Sequence, residues 1–173
     1  MRVVEGVAAV EDVDAFVADL GAVGDEHGVA VQAFDAGYVA DREHLVSAVA
    51  HASRAFERGE NVASERAVEI LLYAAGRRQI RQALAMGVGE GEQPVVVVVA
   101  ADTDGAADAD EREAAAADAV GDLLAEVRPT LGEERDEATL REFFDVSAAE
   151  VAAAGGDLAG VVRERVALLD VEK

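Results

Sequence analysis

The segment Val95–Ala101 reads VVVVVAA and follows directly on Pro94. Five consecutive valines carry no polar–apolar alternation, so the run cannot be a strand with one wet face. It is expected to be a central strand buried on both sides. Pro94 agrees, because proline is tolerated at the first residue of a strand.

The rest of the chain supplies the partners and the cover. Arg2–Val10 (RVVEGVAAV) and Val29–Phe34 (VAVQAF) read as two further strands. Between them Asp12 can cap a helix that carries Val13, Phe16, Val17, Leu20 and Val23 at helical spacing and ends at Gly28. Asp41 starts a helix with Leu45, Val46, Val49, Ala52 and Phe56 on one face, stopped by Gly59. Asn61 or Ser64 can cap the next, whose stripe is Val68, Leu71, Leu72 and Ala75, and Gly76 breaks it. A short helix over Arg77–Met86 is expected to carry Ile80, Ala83 and Leu84 on one side, with Ile80 and Leu84 wholly or partly buried, and to expose Arg77, Arg78 and Arg81 on the other. After the valine strand come an acidic loop near 102–113, a helix over Ala114–Val127, and three short helical stretches. The last of these aligns Leu158, Val161, Val162, Val166 and Leu169. The expected fold class is α+β: a small mixed or antiparallel sheet of about three strands, layered with six or seven helices and covered mainly on one face. Residues 1–173 are expected to form one domain, since no internal repeat or long linker divides them.

The formal charge is −21, from 36 acids against 15 bases, and 14 of those bases are arginines; Lys173 is the single lysine. A chain so acidic, lysine-poor and rich in Ala and Val is of the kind that stays hydrated in concentrated salt, where the Debye length falls to roughly 3 Å at ~1 M and self-repulsion is screened. The absence of cysteine excludes disulfides, thiolate metal sites and cysteine nucleophiles. The start of the chain does not read as a signal peptide, and no run approaches the ~20 apolar residues of a membrane span. A cytoplasmic protein with no membrane partner is expected.

Several motifs dissolve on inspection. DTDGAADADE resembles a calcium loop, but Gly105 falls at position 4 and Ala106 takes the place of a ligand at position 5. GVGEG, Gly87–Gly91, comes after a helix and precedes a strand, the reverse of a phosphate-binding glycine loop, so it reads as a helix end and turn. His44 and His51 lie two helical turns, roughly 10 Å, apart, too far to share a metal unaided; His27 falls in a turn. Four serines, three threonines and no G-x-S-x-G offer little for nucleophilic catalysis. No cofactor, no metal and no catalytic residue is expected.

One anomaly remains. Residues 70–89, ILLYAAGRRQIRQALAMGVG, contain no acid where the overall frequency would place about four. Three surface arginines pairing with distant acids would explain the cations but not the missing carboxylates. An anionic partner explains both, because arginine presents a fork suited to phosphate.

ILLYAAGRRQIRQAL with Gly87 after it, and VRERVALLDV near the C-terminus, resemble the smallest kinase-binding subunit of the KEOPS complex, the PRPK-binding protein family of archaea and eukaryotes. The similarity spans the whole chain; the acidic loop and acidified surface depart from it and suit a haloarchaeal type. The resemblance implies a non-catalytic subunit that binds the small kinase-like ATPase and, through it, the threonylcarbamoyl-transferase subunit. It also implies recruitment of tRNA by its 3′ CCA end for N6-threonylcarbamoyladenosine modification. On this chain the RNA-binding residues would be Arg77, Arg78 and Arg81 on phosphates, Gln79 on a base edge, and Ile80 either under an unstacked base or helping to hold the helix. Tyr73 is the one aromatic in the window. A purely protein-binding regulator without RNA contact, and a small enzyme working through carboxylates hidden in the acidic background, are the rival classes.

Overall fold

The computed structural model describes residues 1–102 and 107–172. In chain order these form β1 (Arg2–Val10), α1 (Val13–His27), β2 (Val29–Asp35), a 3-10 turn (Ala36–Tyr38), α2 (Arg42–Arg58) and α3 (Arg66–Ala75). Next come α4 (Ile80–Ala83), a second 3-10 turn (Leu84–Met86), β3 (Gly91–Ala101), α5 (Ala109–Leu123), β4 (Glu126–Val127), α6 (Glu137–Phe143), α7 (Ala148–Ala153) and α8 (Leu158–Glu172). The fold is α+β, with an antiparallel sheet in the order β2-β3-β1-β4.

β3 is interior, and Val95–Val99 are wholly buried. Val97 faces Val4 of β1 on one side and Ala33 of β2 on the other. Pro94 sits one residue before the stretch that β2 reaches, where β3 is flanked by β1 alone and a missing N–H is tolerated. The valine run splits by parity. Val96 and Val98 enter the larger core with Phe34, Leu45, Leu72, Tyr73 and Val162. Val95, Val97 and Val99 enter a smaller core with Phe16, Leu20, Ala116 and Val120. Helices therefore lie on both faces of the sheet rather than mainly on one: α1 and α5 cover the second face, and α2, α3 and α8 build the first.

The caps at Asp12 and Asp41 form as the sequence indicates, each carboxylate accepting a backbone N–H of the first turn, and Gly28 and Gly59 end α1 and α2 in the left-handed conformation. α3 departs from expectation. Neither Asn61 nor Ser64 caps it; Glu65 occupies the cap without a side-chain bond. Instead Glu69, fully buried, reaches back to accept from the amides of Val62 (3.1 Å) and Ala63 (2.8 Å). α5 begins five residues earlier than expected, with Asp110 and Glu111 in its first turn, where the helix dipole favours acids. It ends at Leu123 because Glu126 and Val127 pair with Val7 and Gly6 of β1 as a fourth strand. Gly6 is obligatory there, since a Cβ would lie 2.1 Å from the Glu126 carbonyl. Residues 103–106, within the expected acidic loop, lie outside the described residues.

Candidate nucleic-acid interface

α3 ends in a Schellman motif. The Gly76 amide donates to Tyr73 O and the Arg77 amide to Leu72 O, both at 3.0 Å, with Gly76 at φ 60°. A side chain at Gly76 would be strained by that φ, and its Cβ would also stand 3.3 Å from the Arg165 carbonyl of α8. The chain is thus turned sharply out of the core at Gly76, and Arg77–Arg81 run along the surface.

The single helix expected over Arg77–Met86 does not form. Arg77–Gln79 are extended or turning, α4 is one turn long, and a 3-10 turn completes the segment. Among the described residues no element covers its outer side, and residues 78–82 are all exposed. Of the side expected to face inward, Ala83 is buried, and Met86 with it, whereas Ile80 and Leu84, expected to be wholly or partly buried, are 46% and 57% exposed. Arg78, Gln79 and Arg81 are exposed, and Arg77 is half-buried.

Gly76, Arg77, Arg78, Gln79 and Gln82 line a shallow cleft of about 690 Å³ that is closed by Phe143 of α6 and Glu172 of α8. Arg77 donates to the Phe143 carbonyl and its guanidinium carbon lies 4.8 Å from the centre of the Phe143 ring. Arg78 donates to the Glu172 carbonyl. Among the described residues none of Arg77, Arg78 and Arg81 forms an ion pair, whereas seven other arginines do. The window is acid-free along the chain but not in space, because Glu172 lines the same cleft. Two exposed cations and a third held against an aromatic ring can accept an anion without first breaking a carboxylate pair.

Tyr73 does not take part. It is fully buried, donates its hydroxyl to Asp170 of α8, and stacks on His51 of α2, ring centres 5.4 Å apart at 19°. Burial pushes its phenol well above the usual range, and the Asp170 hydrogen bond and charge push the same way. The His51 Nδ1 lies 2.5 Å from the other Asp170 oxygen, so this trio ties α8 to α2 and α3.

His44 is structural as well. Its Nε2–H donates to Ala74 O at 2.8 Å and its Nδ1 accepts from the Ala40 amide at 3.1 Å, which defines the tautomer. Burial lowers its pKa to about 4, outweighing the Ala74 hydrogen bond and the charge of Asp41. Among the described residues no three His, Asp or Glu side chains are arranged to hold a metal ion. Gly87–Gly91 is a turn into β3, held by Gln93, whose side chain accepts from the Gly89 amide at 2.9 Å.

On the other side of α4 lies a second, apolar surface. Ile80, Leu84 and the 52%-exposed Val17 of α1 border a groove of about 340 Å³ floored by Leu20, Val68 and Leu71. Sequence reasoning missed Phe143, Glu172 and this groove. Phe143 stands 66 residues from Arg77 and only the packing of α6 brings it there; the exposure of Val17 breaks an otherwise regular helical stripe.

No curated protein matches the chain. The family model for kinase binding protein CGI-121 matches residues 11–170.

Proposed function

The chain belongs to the kinase binding protein CGI-121 family, and on that premise we propose that it is a non-catalytic subunit of the KEOPS complex. In this role residues 1–173 act as one accessory domain that binds the kinase-like ATPase. The domain recruits tRNA by its 3′ CCA end for N6-threonylcarbamoyladenosine modification by the transferase subunit. The RNA-binding set is Arg77, Arg78, Gln79, Ile80 and Arg81. The observation that carries this is the cleft at the end of α3, lined by Arg77 and Arg78 with Gln79 and Gln82, with Arg81 exposed on α4 beside it; among the described residues all three arginines are free of carboxylate ion pairs, on a chain of formal charge −21. Ile80, 46% exposed on α4, lines the apolar groove beyond the cleft and would offer its exposed side chain to an unstacked base. The acidic surface is that of a haloarchaeal, cytoplasmic protein. Among the described residues no helix is long and apolar enough to cross a membrane.

In molar salt, counterion release adds little to RNA affinity, so the isolated subunit binds weakly and the assembled complex supplies effective concentration. The test is a gel shift in matched high-salt buffer with a tRNA and the same tRNA lacking CCA, beside capture of the kinase-like subunit. Binding that depends on CCA supports the reading. Capture of the kinase-like subunit with no RNA binding favours a purely protein-binding regulator. A specific feature supports that second reading, the apolar groove bordered by Val17, Ile80 and Leu84, whose exposed side chains fit a protein partner better than a polyanion.

A further inference from the structure

Recognition of an unpaired RNA end needs a flat surface for the base as well as cations for the phosphates, because splayed bases stack on aromatic rings or on guanidinium planes. The acid-free window lacks such a ring: Tyr73 is buried and engaged with Asp170 and His51. We propose that Arg77 and Phe143 together form the stacking platform, with one unpaired nucleobase lying on the outer face of the Arg77 guanidinium. The inference rests on the RNA-recruiting reading above and reassigns Arg77 from phosphate contact to base contact.

The geometry favours this in three respects. The Phe143 ring is fixed by two edge-on neighbours, Tyr38 at 5.4 Å and Phe144 at 5.0 Å, both at 87°. Arg77 is held over that ring at 4.8 Å and tethered by its bond to the Phe143 carbonyl, so the guanidinium is in place before a ligand arrives. Arg77 lines the same cleft as Gln79 and Gln82, whose amides each offer a donor and an acceptor to a base edge. Arg78 and Arg81 are left for the phosphates. Stacking is also the contact that survives concentrated salt, whereas phosphate pairing fades as the Debye length shrinks.

The experiment uses the full chain and a short RNA whose single-stranded 3′ end carries 2-aminopurine in place of the terminal adenine. Stacking quenches its fluorescence. The wild-type protein binds and quenches. Arg77→Lys keeps the charge and removes the plane, and lowers affinity roughly tenfold with loss of the quench. Phe143→Leu does the same, while Phe143→Tyr retains both. The loss in Arg77→Lys is the same factor at low and high salt, unlike the loss in Arg81→Gln, which shrinks as salt rises. Wild-type affinity and quench in both Arg77→Lys and Phe143→Leu overturn the platform and leave the RNA reading standing. Absence of RNA binding by the wild-type chain overturns both.

Discussion

The two halves of the stretch 70–89 lack acids for different reasons. Ile70–Ala75 lie in α3 with every side chain buried, against β2, α2 and α8. A carboxylate there would need a dedicated set of donors, as Glu69 has one position earlier in the amides of Val62 and Ala63. That half is acid-free because it is core. Arg77–Gly89 is mostly exposed, and burial cannot explain what it lacks. Only this second half bears on the proposed RNA contact, and at the overall frequency it would hold about three acids rather than four.

Returning an acid to each half tests the distinction directly. Leu72→Asp removes a fully buried side chain, which costs about 2–5 kcal/mol by truncation alone, and adds an unsatisfied carboxylate. The variant is expected to lose its cooperative denaturant transition altogether. A wild-type midpoint would mean that α3 is not the core element described.

His44 reports on the buried half through pH, since its Nε2–H is bonded to Ala74. The folded pKa, about 4, lies below the unfolded value of 6.5. Between these values the unfolded chain binds a proton that the folded chain refuses, so stability falls as pH falls from about 6.5 to about 4 and is complete above that window. The span corresponds to about 3 kcal/mol. Subtracting the same pH series for His44→Gln removes the background of titrating carboxylates. Parallel curves for the two proteins would show that His44 is not held neutral.

In the exposed half, Arg78 and Arg81 together to Glu should weaken tRNA binding more than tenfold, at least about 1.4 kcal/mol. Arg42 and Arg58 to Glu, exposed on α2 and in no ion pair among the described residues, change net charge by the same amount and should weaken it far less. Equal losses by gel shift would reduce the effect to general repulsion.

The smallest effect completes the contrast. Gln82→Asp puts an acid back where the chain is exposed, and Leu84→Ala shortens an exposed side chain; each should shift stability by no more than about 0.5 kcal/mol in chemical denaturation. A loss above about 2 kcal/mol in either would place the α4 segment in the core after all.

Local physics determined a good part of this molecule. Five valines without alternation specify a strand buried on both faces, carboxylates at Asp12 and Asp41 cap helices within their own first turn, and the stripe Leu158, Val161, Val162, Val166, Leu169 marks the buried side of α8. In each case the decisive contacts are within the segment or depend only on periodicity. The candidate site was legible only in part. Its arginines were visible as an imbalance of charge, but the same periodicity assigned Ile80 and Leu84 to the core. Burial requires another element on that side, and none among the described residues covers it. Tertiary packing alone drew Tyr73 inward onto Asp170 and brought Phe143 and Glu172 to the cleft. Those partners stand 66 to 97 residues apart for the contacts of Tyr73, Arg77 and Arg78, and no spacing rule reaches across such a distance.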